Sequence, residues 1–121
     1  MKHFIYAEFD QKDAPGSGTI HMDRVFLQYL DALRHKCGFP FIITSGYRSP
    51  EYNAEVSSTG LTGPHTTGKA VDIAVSRGNA LTVLENAFEL GCFTGFGVSQ
   101  KGNGRFIHLD IIEGDRRFWS Y

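Results

Sequence analysis

The stretch that decides the fold is residues 63–75, which read GPHTTGKAVDIAV. His65 lies seven residues before Asp72, and the segment ends as a strand whose side chains alternate between two faces. A glycine between the two allows the backbone to turn, so that the histidine folds back over the aspartate. A later stretch, residues 105–112 (RFIHLDII), carries His108 with the same alternation. Two histidines and one aspartate brought together would supply three nitrogen and oxygen ligands and leave a fourth position open, the composition of a catalytic zinc site.

Length and charge describe one globular domain and exclude several classes of partner. With 121 residues the chain has enough length for one core, so we expect a single domain over residues 1–121. Its net charge of −1 predicts no nucleic-acid partner, because nucleic-acid binders carry clustered basic surfaces. No apolar run approaches the roughly 20 residues that span a bilayer, and Glu8 and Asp10 interrupt the apolar N-terminal segment, unlike a secretory signal. We therefore expect a monomer that is made in the cytoplasm and has no membrane partner.

The first half of the chain predicts an irregular arm, a long helix, a strand and a short helix. The arm covers residues 1–18, which are rich in turn formers, and four apolar side chains should pin it to the core: Phe4, Ile5, Tyr6 and Phe9. A 3.6-residue period of apolar side chains predicts a helix over residues 20–37, ended by a glycine. Residues 41–45 (FIITS) are typical of a buried strand, and a Ser-Pro-Glu sequence begins a helix over residues 50–56.

The second half predicts a strand, a helix and a hairpin. Residues 69–75 form a strand with its aspartate on the small-residue face, opposite a face of β-branched residues. Residues 94–99 and 105–112 form the hairpin, in which the histidine and the aspartate that follows it share a face. Residues 79–90 form a helix, and its predicted inward side chains are Leu81, Leu84, Ala87 and Phe88.

The two cysteines, Cys37 and Cys92, are not expected to bind a metal. They lie far apart and neither belongs to a C-x-x-C pair, the spacing that zinc sites commonly use. Each lies next to a glycine that ends a predicted helix, where a buried free thiol is a common core residue. A free thiol is therefore the favoured interpretation, and a disulfide is the alternative.

Three ordered motifs carry a family resemblance. They are ITSGYRSPEYN at residues 43–53, H-x-x-G-x-A-x-D at residues 65–72 and FIHLD at residues 106–110. Together they resemble the zinc D-alanyl-D-alanine carboxypeptidase family, which includes the L-alanyl-D-glutamate endopeptidases of phage lysins and shares its fold with the hedgehog signalling domain. The resemblance extends over nearly the whole chain, from Phe9 to the RFW sequence near its end.

This resemblance implies a fold, a cofactor and a reaction. The fold is α+β, a small antiparallel sheet with helices packed mainly on one side. The cofactor is Zn²⁺, held by His65, Asp72 and His108, with water in the open position. The reaction is hydrolysis of a peptide bond in bacterial peptidoglycan, either as a D-Ala-D-Ala carboxypeptidase or as a stem-peptide endopeptidase. A wall enzyme without an export signal must leave the cell by other means, which fits a phage or prophage origin.

Three further residues are predicted to meet the substrate. The family places an arginine near the substrate where Arg48 lies, and its guanidinium can pair with a substrate carboxylate or stabilise charge on the scissile carbonyl oxygen. The alternative is a structural ion pair with Glu51 or Asp72. Tyr47 and Trp119 are predicted to line the peptide groove, with a place in the core as the alternative.

The general base is the point at which the chain departs from the family. Many members carry an acidic residue three positions before the last zinc histidine, but this chain has Arg105 there, which cannot serve as a base. Asp110 is the predicted base, because it lies on the same strand face about 6–7 Å from His108. Glu113 is a weaker candidate, and the alternative role of Asp110 is to orient a ligand histidine.

Two other functions fit the same residues. A binding module that keeps zinc without hydrolysis would explain the missing carboxylate before His108. A domain without metal, whose histidines are hydrogen-bonded core residues, is the simplest alternative, because a single strand histidine is more often structural than a ligand.

Overall fold

A computed structural model describes residues 1–121, and its centre is a five-stranded sheet. In chain order the strands are β1 (Ile42–Ser45), β2 (Ala70–Ala74), β3 (Gly95–Ser99), β4 (Phe106–Asp110) and β5 (Arg117–Ser120). Their spatial order is β1-β2-β4-β3-β5, which leaves β1 and β5 at the edges. The helices are α1 (Ser17–His21), α2 (Arg24–Cys37), α3 (Pro50–Val56) and α4 (Arg77–Leu90). Short 3₁₀ turns lie at Tyr6–Phe9, Gly60–Thr62 and Pro64–Thr67.

The strand pairs are antiparallel, as the resemblance implied, with one exception. The β1–β2, β2–β4 and β3–β4 pairs are antiparallel, whereas β5 pairs with β3 in parallel. Asp110 at the end of β4 and Arg117 at the start of β5 both pair with Gly95 at the start of β3. The connection between β4 and β5 therefore carries the chain past the start of β3, and β5 runs in the same direction as β3.

The core lies between one face of the sheet and the two long helices. Val71 and Ile73 of β2 and Ile107 and Leu109 of β4 are fully buried on that face. They join the buried side chains of α2 and α4 in one apolar cluster, which also takes in Phe9 from the N-terminal arm. The α+β architecture is confirmed, since the long helices cover one face and leave the opposite face of β2 and β4 to polar residues.

The helix boundaries confirm α3 and correct the other two predictions. α3 spans Pro50–Val56 as predicted, and the side chain of Ser49 accepts a hydrogen bond from the N–H of Tyr52. The helix predicted over residues 20–37 is interrupted, because Asp23 caps a new helix that begins at Arg24. α4 begins two residues earlier than predicted. None of the helices combines the length and the apolarity that crossing a bilayer requires.

Several burial predictions were wrong. β1 was predicted to be buried, but it is an edge strand with one neighbour, and Ile42 is 66% exposed. In the arm, Phe4 and Phe9 are buried while Ile5 and Tyr6 are exposed. In α4 the inward residues are Ala80, Val83 and Ala87, with Leu84 packed beside them, whereas Leu81 and Phe88 are exposed.

Both cysteines are free thiols, the interpretation that was favoured over a disulfide. Cys37 and Cys92 are both half-buried and form no disulfide. Burial raises the pKa of each thiol, so neither is an activated thiolate.

Candidate metal centre

Strand register places two of the predicted ligands side by side. Asp72 of β2 pairs directly with His108 of β4, and both lie on the face opposite the apolar cluster. The Nδ1 atom of His108 lies 3.0 Å from Oδ1 of Asp72. Both side chains are buried. The period-two alternation of the two strands is therefore enough to create a polar pair in the middle of the sheet.

The third ligand, His65, comes from the turn before β2. It lies in the 3₁₀ turn Pro64–Thr67, which ends at Gly68 with φ +74°. A Cβ atom at Gly68 would lie 2.0 Å from the carbonyl oxygen of His21, so only glycine fits this turn. The backbone then folds back as predicted, and Nε2 of His65 lies 3.2 Å from Oδ1 of Asp72.

Each imidazole has a hydrogen-bond acceptor on the side away from Asp72. The Nδ1 atom of His65 lies 2.8 Å from the carbonyl oxygen of Gly46, which can only accept, so this nitrogen carries the N–H and Nε2 has the lone pair. His108 lies between two carboxylates, with Nε2 2.8 Å from Asp110 and Nδ1 facing Asp72. One proton on Nε2 leaves a lone pair on Nδ1, and a second proton makes both nitrogens donors.

This arrangement passes a physical test for a cation site. The ligand atoms of His65, Asp72 and His108 lie within 4.8 Å of one another. When His108 is neutral and donates to Asp110, all three atoms are acceptors, and converging buried acceptors repel unless a positive charge lies between them. Two imidazole nitrogens and one carboxylate oxygen are a donor set that suits Zn²⁺. The residues therefore fit the metal that the resemblance implied.

The charges of the centre are consistent with a cation. Burial favours a raised pKa for Asp72, but the side chains of His108 and His65 outweigh it and hold the pKa well below its ordinary value. Burial likewise opposes charge on His108, yet Asp110 and Asp72 raise its pKa above the ordinary 6.5. The centre therefore attracts one positive charge, supplied by a proton or by a metal ion.

Arg48 forms the ion pair with Asp72 that the sequence offered as its alternative role. Its Nη2 atom lies 3.6 Å from Oδ2 of Asp72, the oxygen that does not face the imidazoles. Its Nε atom donates to Ser45 at 3.0 Å and its Nη1 atom to Asn53 at 3.1 Å, which leaves other N–H groups of the guanidinium without a hydrogen bond. The guanidinium therefore orients the carboxylate of Asp72, and one side of it also lines the cleft described next.

The centre opens into a cleft of about 650 Å³. One wall comes from the end of α3 and the loop after it, and the other from β5 and Tyr121. Trp119 lines the cleft as predicted, with its ring centroid 5.0 Å from that of His108. Tyr47 does not line this cleft and stacks on His21 at 4.2 Å between ring centroids, so its contact with substrate stays a prediction.

Asp110 lies in a position that differs from that expected of a base. It is fully buried, and besides His108 it accepts hydrogen bonds from the N–H of Ile112 at 3.1 Å and from the guanidinium of Arg117. These partners lower the pKa of its carboxyl group, against the effect of burial. Glu113, the weaker candidate, is exposed and does not line the cleft.

Two glycines of β3 belong to the centre and were missed. Gly95 and Gly97 pair with Asp110 and His108 respectively. A Cβ atom at Gly95 would lie 2.2 Å from the carboxylate of Asp110, and one at Gly97 would lie 2.8 Å from the indole of Trp119. The signal was present in the sequence, because glycines two apart in a strand mark a close approach on one face.

The comparison with known families agrees with this geometry. A family model described as Peptidase M15 matches residues 2–110. The chain belongs to the peptidase M15 family. The matched stretch includes His65, Asp72 and His108, the group of this M15 peptidase that could hold a metal ion, and ends at Asp110, before β5. Membership confirms the resemblance to zinc metallopeptidases at the level of the family. No curated protein matches the chain.

Proposed function

We propose that this M15 peptidase hydrolyses a peptide bond of bacterial peptidoglycan, as a D-Ala-D-Ala carboxypeptidase or as a stem-peptide endopeptidase. The observation that carries the proposal is the convergence of three buried acceptor atoms on one point beside an open cleft. When bound there, zinc lowers the pKa of water to about 7 and polarises the substrate carbonyl. A water-accessible cleft beside the ion distinguishes a catalytic site from a closed structural one.

Each residue of the centre has a distinct task in this proposal. His65, Asp72 and His108 hold the ion. The carbonyl of Gly46 keeps the lone pair of His65 directed at it. Asp110 does the same for His108, and it is a positioning residue in this account because its carboxylate is buried and fully engaged.

The cleft suits an anionic peptide with small side chains. Its cationic groups are Arg48 and Arg117, and the only acidic residue that lines it is Asp72, which is committed to the ion. Peptidoglycan stem peptides carry free carboxylates, which such a cleft attracts and does not repel. Phe106, Trp119 and Tyr121 give it apolar surface for the alanine methyl groups.

A second function is favoured by one observation. Because no free carboxylate lines the cleft, the usual proton acceptor of a zinc peptidase is missing. A module that holds zinc and binds wall peptide without cleaving it would need no such group.

The monomeric state and the lack of a nucleic-acid partner stay predictions.

Digestion of cell walls tests the proposal directly. Zinc-loaded protein is incubated with peptidoglycan of several wall types, and mass spectrometry identifies the released fragments. Loss of single D-alanine residues indicates a carboxypeptidase, and release of longer peptides indicates an endopeptidase. His65→Ala should release nothing, while Glu113→Ala, which removes an exposed carboxylate outside the cleft, should match the wild type. Binding to walls with no fragment from any of them would favour the non-hydrolytic module.

A further inference from the structure

Tyr121 lies on the wall of the cleft and has no task in the proposal above. Its backbone N–H donates to the carbonyl of Val98 at 3.3 Å, which continues the pairing of β5 with β3. Period-two alternation then puts its side chain on the same face as Trp119. Its ring packs against Phe106 at 5.0 Å and Trp119 at 6.3 Å between centroids. The ring therefore contacts two aromatic neighbours, while the residue stays 65% exposed.

The side chain of Tyr121 lines the same cleft as Asp72 and His108. Burial raises its pKa, Trp119 and Arg48 lower it, and the carboxylates of Asp72 and Asp110 raise it. The indole N–H of Trp119 can only donate, so it leaves the phenolic proton unused. A phenol with a raised pKa keeps that proton at neutral pH and presents it to the cleft.

The other donors that line the cleft are partly engaged. The guanidinium of Arg48 donates to Ser45 and Asn53 and lies 3.6 Å from the carboxylate of Asp72, which leaves it N–H groups to meet a substrate carboxylate. The guanidinium of Arg117 is bonded to the buried carboxylate of Asp110. On the opposite wall the hydroxyls of Ser57 and Thr59 lie 2.9 Å apart and bond to each other.

We infer that Tyr121 is a further catalytic residue, whose hydroxyl donates a hydrogen bond to the carbonyl oxygen of the scissile peptide as negative charge develops on it. This inference rests on the proposed peptidase function. The ring is positioned by the backbone bond to Val98 and by its contacts with Phe106 and Trp119, and the residue is 65% exposed. A hydrogen bond from its hydroxyl is strongest when the accepting oxygen carries charge. Such preorganised donors typically contribute about 10²–10³-fold to kcat.

Tyr121→Phe tests the inference, because it removes the hydroxyl and keeps the ring that packs on Phe106 and Trp119. For the zinc-loaded variant we expect kcat on cell-wall peptide to fall by about 100-fold, with KM and zinc content unchanged. A phosphinic analogue of the cleaved dipeptide mimics the charged tetrahedral state, and its affinity should fall by a similar factor. Tyr29→Phe on α2 is the matched control and should leave all four quantities unchanged.

Each other result would overturn the inference. Equal kcat and equal affinity for the analogue would show that the hydroxyl does not act in the reaction. A raised KM with unchanged kcat would make Tyr121 a substrate-binding residue, and loss of zinc would make it a structural one. A wild-type protein that hydrolyses no wall peptide would refute the proposed function itself, and this inference with it. Inactive wild-type protein thus refutes the proposed function, whereas active wild-type protein with an equally active Tyr121→Phe variant refutes only the role of the hydroxyl.

Discussion

The two faces of strands β2 and β4 share one backbone, but burying a side chain has opposite effects on the free energy of folding on each of them. On one face Val71, Ile73 and Leu109 are fully buried against the long helices, and each such side chain contributes about 1.5–3 kcal/mol to folding. On the other face Asp72 and His108 are nearly as buried, but there burial carries a cost that partners must offset. Burial alone therefore does not distinguish a stabilising face from a functional one. The difference lies in whether the buried atoms satisfy one another or require an additional charge.

The largest effect on the polar face is expected from the removal of Asp72, the central one of the three proposed ligands. Asp72→Ala should abolish stoichiometric zinc binding and reduce hydrolysis to background, because only two imidazole ligands remain. The metal-free protein should stay folded, since the apolar face is untouched. Metal analysis, wall digestion and circular dichroism measure the three quantities. Asp115→Ala, on an exposed carboxylate, is the matched control. Retention of zinc by Asp72→Ala would contradict the proposed ligand set.

A change on the apolar face should have the reverse effect. Leu109→Ala is expected to lower the free energy of unfolding by about 2–5 kcal/mol, through lost burial and a cavity. Folded molecules of this variant should still bind zinc, because the side chain points away from the centre. Urea unfolding followed by zinc titration separates the two effects. Leu81→Ala, at a position 58% exposed, should change stability little. Equal losses for the two variants would mean that the faces are assigned wrongly.

A smaller effect is expected where a carboxylate only orients a ligand. Asp110→Asn should weaken zinc affinity by about 10–100-fold without unfolding the protein, because it disturbs the tautomer of His108. Competition with a chromophoric chelator measures the affinity. Unchanged zinc affinity combined with lost hydrolysis would instead restore Asp110 as the general base. Glu113→Gln is the matched control for the loss of one negative charge.

A change in pH should alter the zinc affinity and the stability contributed by the polar face, and should leave the contribution of the apolar face unchanged. Because His108 must be neutral to bind zinc and its pKa is raised above the ordinary 6.5, zinc affinity should begin to fall at a pH above 6.5. The decrease should approach about tenfold per pH unit, for one competing proton. In the metal-free protein the sign is opposite. Protonated His108 stabilises the fold below pH 6.5, and this contribution is lost as pH rises through the raised pKa.

Zinc titrations and denaturant unfolding at several pH values measure both slopes. The stability difference between wild type and Leu109→Ala should not vary with pH over the same range, because no titratable group is removed. A zinc affinity that stays constant down to pH 5 would contradict the assignment of His108 as a ligand with a carboxylate on its second nitrogen.

The ligands were predictable from the sequence because strand alternation is a local property. His108 and Asp110 share a face in any strand. Gly68 indicates a turn, because its positive φ is a backbone conformation that favours glycine. The helix α3 was predictable for the same reason, since Ser49 and Pro50 determine its start within a few residues.

The remaining features depend on partners that are distant in the chain. The role of Asp110 depends on the guanidinium of Arg117, which comes from the next strand, and no local pattern reports that contact. The orientation of His65 depends on the backbone carbonyl of Gly46, which has no side-chain signal at all. Tyr47 and Arg48 are adjacent in the sequence, yet only Arg48 lines the cleft, because successive residues in an extended segment point in opposite directions.

The wall formed by Trp119 and Tyr121 lies beyond the residues that the family model matches, whereas every ligand lies within them. The cleft is therefore closed by a strand that the family model does not cover, packed directly on residues that it does cover. Because Trp119 lies against His108 and leaves no room for a Cβ atom at Gly97, the inward positions of this strand are tied to the centre. Sequence can vary most freely at its outward positions, such as Phe118, which is 69% exposed.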